Sequence, residues 1–228
     1  MTDKNTISDH KPVTGRDETS RADPRQRRHA AKLTQIVAEA WDLGQRDGLS
    51  SISLRDLAER ADLRQPSLYG YFDSKLGLYD LMYADALRQL LAAAAEELPP
   101  NEDPGEALIE FIELCIRFSS ENVVRHELLF ERTIPGFKPS PESRELLVQF
   151  RNIAAARLAA AGVRGRVATD VFTGIVSGFT QQQVISEPGG DRWLRLARPA
   201  IEIFLAGVPL MSEPRRSTRP RPTRKKNP

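Results

Sequence analysis

Apolar residues recur at helical spacing along nearly the whole central part of the chain. In the segment 24–47, apolar residues three or four positions apart form one helix face: Leu33, Ile36, Val37, Ala40 and Trp41. No stretch shows the two-residue alternation of apolar and polar side chains that is typical of a half-buried strand. The pattern therefore predicts an all-α fold.

Caps and helix breakers divide this pattern into separate helices. The first is predicted from Pro24 to Asp47 and is stopped by Gly48. Ser53 fits a capping box that opens a short second helix, and a third helix of barely two turns begins near Pro66. The fourth follows a cap at positions 73 and 74 and ends before the prolines at 99 and 100. Further helices are predicted at about 104–120, 123–131, 141–161, 166–186 and 191–206, with a loop at 133–140.

The second and third helices, with a tight turn at 62–64 between them, have the geometry of a DNA-reading helix-turn-helix. Leu68 and Phe72 lie four positions apart and are expected to point inward. The residues left to face outward or sideways include two tyrosines, a glutamine and a serine, and no carboxylate: Gln65, Pro66, Ser67, Tyr69, Gly70 and Tyr71. This surface suits base edges, because glutamine can bond adenine at two atoms and serine can bond a base or a phosphate.

The stretch SLRDLAERADLRQPSLYGYFDSK, from Ser53 to Lys75, resembles the helix-turn-helix of the tetracycline-repressor (TetR) family. The likeness extends over about Arg25 to Leu81. It implies DNA contacts from the residues at matching positions: Arg55, Gln65, Pro66, Ser67, Tyr69, Gly70, Tyr71 and Lys75. Independently of the family, a lysine beside the free amides of a helix N-terminus completes a phosphate site.

Two positions depart from the family pattern. Asp62 occupies the turn position where the family usually has glycine, and aspartate tolerates a left-handed backbone better than most residues. Arg64 stands where a serine or threonine cap is common, and it is expected to supply a longer-reaching phosphate contact. The basic residues Arg25, Arg27 and Arg28, just before the first helix, are candidates for a flexible arm that enters the minor groove or touches phosphate. The alternative is that they are ordinary surface residues.

The organisation of the rest of the chain follows from composition and from the resemblance. Polar tails are predicted at 1–23 and 209–228, a DNA-binding domain at 24–75, and a regulatory and dimerisation bundle at 76–208. The resemblance implies that the last two long helices, about 166–206, form a homodimer interface. The open alternative is that the helix at 166–186, which is apolar on much of its circumference, is buried inside a monomer.

The bundle is also expected to contain an effector pocket. Its candidate lining is apolar and hints at a lipophilic effector: Phe111, Cys115, Phe118, Phe130, Phe150 and Phe172. An apolar stripe at helical spacing is more often plain core, and the sequence does not separate the two. His126, the only histidine of the bundle, is expected to have a surface or capping role rather than to orient a ligand.

Charge and composition narrow the functional class. Residues 76–214 carry a net charge of −6, whereas 24–75 carry +2. This distribution fits a basic DNA-binding domain attached to an acidic regulatory domain. One cysteine and three scattered histidines give no metal motif, no cofactor is indicated, and no catalytic arrangement argues for an enzyme. The absence of a long uncharged apolar run or a signal sequence predicts no membrane contact and a cytoplasmic location.

The sequence thus predicts a ligand-responsive transcriptional regulator, by family default a repressor, that binds double-stranded operator DNA as a homodimer. An unidentified small molecule would act as its effector. The alternative is an effector-independent or architectural DNA-binding protein, which is favoured by seven basic and no acidic residues from Arg215 onward.

Overall fold

The computed structural model describes residues 23–98, 100, 103–131 and 133–211. These residues form α-helices and no strand, which confirms the all-α prediction. The helices are α1 (Pro24–Asp47), α2 (Leu54–Arg60), α3 (Gln65–Leu68), α4 (Lys75–Glu97), α5 (Pro104–Glu121), α6 (Val123–Phe130), α7 (Pro141–Ala160), α8 (Arg166–Ser186), α9 (Arg192–Arg195) and α10 (Ala197–Gly207), with 3-10 turns at Leu49–Ser51 and Val208–Met211. Apart from Asp23 and residues 209–211, both predicted tails lie outside the described residues.

Side-chain caps begin most of the long helices where the sequence places them. The Ser53 hydroxyl accepts a hydrogen bond from the backbone amide of Asp56, and the Ser74 hydroxyl accepts one from Gly77. Asp23 and Asp103 accept from the first-turn amides of α1 and α5 in the same way. Each cap satisfies amides that the helix itself leaves without a partner, and so fixes where the helix begins.

Two helices are shorter than the sequence suggests. The third has one α-helical turn, Gln65–Leu68, instead of two, because the amides of residues 69 to 71 bond three positions back rather than four. The helix predicted at 191–206 is interrupted at Leu196 and becomes α9 and α10. Pro199 has no amide proton to give to the carbonyl of Arg195, and the helix breaks at that point.

Helix α4 lies between the two parts of the molecule. Its buried residues include Leu78, Met82 and Leu87, each fully shielded from solvent. It packs against α1 in the N-terminal part and against α5, α6 and α7 in the bundle. The Tyr79 hydroxyl donates to the carbonyl oxygen of Leu49 at 2.5 Å, and burial raises the pKa of Tyr79 to about 12. The buried residues of the two parts form one continuous hydrophobic core, and α4 contributes to it in both parts.

The bundle has an aromatic centre built around α5. The Phe111 ring stacks on Phe150 of α7 at 5.4 Å between centroids and lies 6.1 Å from Phe172 of α8. Phe172 in turn contacts Phe204 of α10 at 5.7 Å. Cys115 is buried beside this centre on α5, and burial raises the pKa of its thiol to about 12. In the part of the chain that the structure describes, no helix is long and apolar enough to cross a membrane.

The turn between α2 and α3 carries the one positive φ at a residue other than glycine among the described residues, 53° at Asp62. We expect Asp62→Val to lower the free energy of unfolding by about 1 to 3 kcal/mol, because a β-branched side chain clashes in this backbone conformation. Asp62→Gly should equal or exceed the wild type in stability. Thermal and urea unfolding followed by circular dichroism would measure both.

Glu59→Val is the matched control for that comparison, since it places the same side chain in the regular helix α2 just before the turn. It should cost only about 0.5 kcal/mol through lower helix propensity. Equal losses for the two valine variants would show that the Asp62 backbone conformation is not what holds the turn.

Candidate DNA-binding site

The predicted base-reading residues, 65–67 and 69–71, form what we call the reading surface. The way α2 ends determines the orientation of this surface. The amide of Asp62 donates to the carbonyl of Glu59 at 3.1 Å, and the amide of Leu63 donates to the carbonyl of Ala58 at 2.8 Å. Together with the left-handed backbone at Asp62, these two bonds form a Schellman motif. The motif reverses the chain within three residues, so that α3 leaves α2 at a defined angle.

Two buried side chains then hold α3 and the turn after it. Leu68 is fully buried, and Phe72 is nearly so, as the sequence predicts. They pack with Leu57 of α2 in the core of the N-terminal domain. A helix of four residues has little stability of its own. The orientation of α3 therefore depends on these apolar contacts.

The predicted base-reading residues lie together on the opposite, solvent-facing side. Tyr71 is half-buried, and the others are exposed: Gln65, Pro66, Ser67, Tyr69 and Gly70. A Cβ atom added at Gly70 would meet only the carbonyl oxygen of Ser67, at 3.4 Å, which is an ordinary contact. Packing within the chain therefore does not require glycine at this position. Close approach of an outside molecule remains a reason for it.

The charged residues next to α3 are of mixed sign. Arg55 and Arg64 line a shallow depression at the α2–α3 turn together with Gln65. The carboxylates of Glu59 and Asp62 line the same depression. Phosphate attraction by the two arginines is therefore partly opposed there, and the depression is not a uniformly positive surface.

Lys75 lies at the start of α4 and is already engaged within the protein. Its ammonium donates to the carbonyl oxygen of Ser50 at 2.8 Å and lies 5.8 Å from the centre of the Tyr79 ring. An ammonium has three donors, so this bond leaves donors for a phosphate. The contact with Ser50 also fixes the position of the charge, which a free surface lysine would not have.

The structure corrects the prediction of a flexible arm. Arg25, Arg27 and Arg28 lie inside α1, whose first turn is capped by Asp23. Residues in a capped helix are not free to follow a minor groove. Any such arm would have to come from residues before 23, outside the described part of the chain.

His29 is a residue of this surface that the sequence analysis missed. Its ring stacks on Tyr71, with 4.6 Å between centroids and 20° between planes, and its Nε2 lies 3.4 Å from the carbonyl oxygen of Gly70. One helical turn later, Lys32 donates to the carbonyl of Ala61 at 3.1 Å. Polar side chains of α1 thus contact the reading surface at Gly70 and Tyr71 and the end of α2 at Ala61. The only signal in the sequence was two polar residues one turn apart, which is common on any helix surface.

The six predicted pocket residues do not form one group. Phe111, Phe150 and Phe172 belong to the aromatic centre, and Cys115 is buried on the same helix as Phe111. Phe118 is buried too, with the guanidinium of Arg125 over its ring at 3.5 Å. Phe130 is about half exposed, with its ring 5.4 Å from that of His126.

The expectation of a surface or capping role for His126 is wrong. The side chain is buried, and its Nε2 lies 2.9 Å from the amide oxygen of Gln181 on α8. The amide nitrogen of Gln181 donates to Glu131 at 2.9 Å, so its oxygen is the atom that accepts from His126. This arrangement fixes the ring within the bundle because it ties α6 to α8.

Helix α8 exposes one face that is apolar or small. Val167, Val171, Gly174, Gly178 and Ile185 follow one another three, four or seven positions apart along it, and Ile185 is 65% exposed. Ile203 of α10 is 73% exposed. The alternative of a helix buried on all sides within one chain is therefore not what the structure shows.

Comparison with known proteins gives matches at several levels. Residues 36–82 match the family model described as bacterial regulatory proteins, tetR family. A curated relative, the HTH-type transcriptional repressor BdcR of Escherichia coli strain K12, is 26% identical over 135 residues, 59% of this chain. The match spans 66% of the relative, slightly less than two thirds of its length.

Solved structures share the fold over most of the chain. PfmR, a TetR-family transcriptional regulator from Thermus thermophilus, is 26% identical with a TM-score of 0.53, covering 75% of this chain and 93% of its own. FadR from Bacillus subtilis, solved in complex with stearoyl-CoA, is 16% identical with a TM-score of 0.64, covering 77% and 98%. The helix-turn-helix geometry, the family model and these relatives agree: residues 36–82 match the bacterial regulatory proteins of the tetR family, and the chain as a whole is similar to TetR-family transcriptional regulators.

Proposed function

We propose that the protein is a repressor that binds palindromic operator DNA as a homodimer and leaves it when a small lipophilic effector binds the bundle. The observation that carries the proposal is the exposed surface of α3 and its following turn. Leu68 and Phe72 hold this surface in place from behind, and it has no carboxylate between residues 63 and 72. Such a surface can approach the negatively charged duplex closely.

The residues divide naturally between reading bases and holding phosphates. Gln65 and Ser67 can hydrogen-bond base edges in the major groove, and the rings of Tyr69 and Tyr71 can contact thymine methyl groups. The positive side chains around them suit the phosphate backbone: Arg55, Arg64 and Lys75. We assign His29 a supporting role, because its stacking on Tyr71 limits how that ring can rotate.

Dimerisation is supported by the exposed apolar face of α8 and by Ile203 on α10. Large exposed aliphatic side chains on adjoining helices are typical of a surface that a second protein covers. The glycines at 174 and 178 have open space where a Cβ would stand, so a second helix could approach the backbone closely. Two copies related by a two-fold axis would present two reading surfaces.

The effector assignment rests on the bundle and on one relative. FadR from Bacillus subtilis was solved with stearoyl-CoA, a ligand with a long acyl chain. In this chain, the aromatic side chains Phe111, Phe150 and Phe172 pack against one another and offer apolar surface of matching character. We propose that a lipophilic molecule inserts among them and changes the packing that α5 and α7 make with α4.

An effector-independent DNA-binding protein is the second candidate. The observation in its favour is the basic end of the chain, with seven positive charges from Arg215 to Lys226 and prolines among them. This segment lies outside the described residues. Release from DNA by a ligand distinguishes the candidates, because a constitutive binder shows none.

If the protein binds as a symmetric dimer, the DNA site should have inverted symmetry, with both half-sites on one face of the duplex. Selection of bound genomic fragments followed by footprinting would reveal the site. Sedimentation of the complex should give two chains per duplex. A protected site with no inverted symmetry would count against the dimeric reading arrangement.

Gln65→Ala and Tyr71→Ala test the reading surface directly. Each should weaken binding to the selected site by roughly 1 to 3 kcal/mol and relax the base preference at defined positions, because one base contact is lost. Binding curves on the selected site and on single-base variants of it measure both effects. Gln149→Ala is the control, since this glutamine is exposed on α7, away from the reading surface. Unchanged affinity and preference in both variants would place the recognition surface elsewhere.

The basic tail should act through unspecific phosphate attraction. Each phosphate that it neutralises should add about 0.9 to the slope of log affinity against log salt. A tail of about 20 residues spans only about 25 Å on average, so it must fold back to reach the bound duplex. Full-length protein and a version ending at Glu213 are to be titrated against operator and random duplex at several salt concentrations. Identical slopes would mean that the tail does not touch DNA.

A further inference from the structure

A continuous path of polar contacts connects the reading domain to the bundle. The indole nitrogen of Trp41 on α1 donates to the Asp85 carboxylate on α4 at 2.9 Å, and Gln89 donates to the same oxygen at 2.7 Å. The guanidinium of Arg125 on α6 donates to the Gln89 amide oxygen at 2.8 Å and to the carbonyl oxygen of Phe118 on α5 at 2.6 Å. We call these four side chains, Trp41, Asp85, Gln89 and Arg125, the interdomain chain.

Each hydrogen bond in the interdomain chain determines which atoms of the next side chain donate and which accept. The Gln89 amide nitrogen faces a carboxylate and its oxygen faces a guanidinium, so a flipped amide would place both atoms against groups of the wrong kind. One oxygen atom of Asp85 accepts from Trp41 on α1 and from Gln89, which lies one turn later on α4 itself. A rotation of α1 or α6 relative to α4 therefore breaks a specific bond instead of exchanging it for an equivalent one.

The two ends of the interdomain chain are anchored in the protein interior. Trp41 and Arg125 are both buried, whereas Asp85 is half-buried and Gln89 is exposed. Arg125 also lies over the Phe118 ring and pairs with Glu121 at 3.3 Å. With these contacts, the Arg125 guanidinium is held in one orientation. Because Gln89 is exposed, it can be substituted without opening the core.

Backbone packing supports the same contact between domains. A Cβ atom at Gly44 on α1 would lie 3.2 Å from a methyl carbon of Val124, the neighbour of Arg125 on α6. Helices α1 and α6 thus approach closely beside the interdomain chain. Movement of the reading domain toward α6 is blocked there by apolar contact, and movement away from it is opposed by the hydrogen bonds.

We propose that Gln89 and Arg125 are positioning residues that set the angle between the reading domain and the bundle, and thereby the spacing of the two half-sites in the operator. The proposal rests on the dimeric DNA binding proposed above. In a dimer, each reading surface is held at a distance from the two-fold axis by its own bundle. The angle at the domain junction therefore decides how far apart the two surfaces lie.

The geometry makes the spacing sensitive to small rotations. Trp41 and His29 are twelve residues apart on α1, which corresponds to about 18 Å at 1.5 Å per residue. A rotation on the order of 5° at Trp41 then moves the reading end of α1 by about 1.5 Å, which follows from that length. Opposite movements in the two subunits change their separation by about 3 Å, close to the rise of one base pair, about 3.4 Å.

The experiment varies the spacer of the selected operator by one base pair at a time, with both half-sites unchanged. The wild type should prefer one spacer length. Arg125→Met removes the guanidinium, and Gln89→Glu keeps the acceptor for Arg125 but sets a carboxylate against Asp85. Both variants should reduce the preference for that spacer over its neighbours by roughly 2- to 30-fold, while preferring the same half-site sequence.

Arg117→Met is the matched control, since Arg117 on α5 makes surface ion pairs with Glu97 and Glu113 and takes no part in the interdomain chain. Its spacer preference should equal that of the wild type. Should Arg125→Met fail to fold by circular dichroism, Gln89→Glu and Trp41→Phe supply the comparison, because the first is at an exposed site and the second keeps an aromatic ring.

The outcomes separate this inference from the function on which it rests. A wild-type protein with no symmetric site overturns the proposed function, and the positioning role with it. A sharp spacer preference that is the same in the wild type and in folded Gln89 and Arg125 variants overturns the positioning role alone. A broadened spacer preference with intact half-site recognition supports it.

Discussion

Burial of α4 against both α1 and the bundle helices is the constraint on which the rest of the structure depends. The same helix that closes the core behind the reading turn also forms a wall of the bundle. Tyr79 ties it to the turn after α1, and the backbone amide of Ser140 at the start of α7 donates to Asp80 on it. The single hydrophobic core runs through both parts of the molecule by way of α4. A change in bundle packing therefore acts on the helix that carries the reading domain.

The reading surface shows how a very short helix is given a fixed orientation. One turn of helix does not persist by its own hydrogen bonds. Here it is held from behind by Leu68, from one end by the left-handed turn at Asp62, and from the side by the stack between His29 and Tyr71. Because of these three supports, the outer face of α3 is not needed for packing within the protein. Its side chains can then be chosen for what they contact outside the protein.

Local signals in the sequence were sufficient for most of the fold and for the outward residues of the site. Pro24 and Gly48 give α1 its bounds, and Leu68 and Phe72 are recognisable as inward by their spacing. The break at Leu196 was missed although Pro199, in the interior of the predicted helix 191–206, was a visible signal for it. Contacts between residues more than forty positions apart, such as Trp41 with Asp85, leave no periodic trace. Only the packing of complete helices brings such pairs together.

The buried Cys115 determines how this protein can be labelled. It is the only cysteine in the sequence, and at neutral pH a thiol whose pKa is raised to about 12 is protonated as well as shielded from reagents. Maleimides and spin labels therefore have no reactive native thiol, and no cysteine has to be removed first. One cysteine introduced on the outer face of α2 would carry the only label in each chain. In a two-fold symmetric pair of chains, those labels define a single distance, which is the separation of the two reading domains in solution.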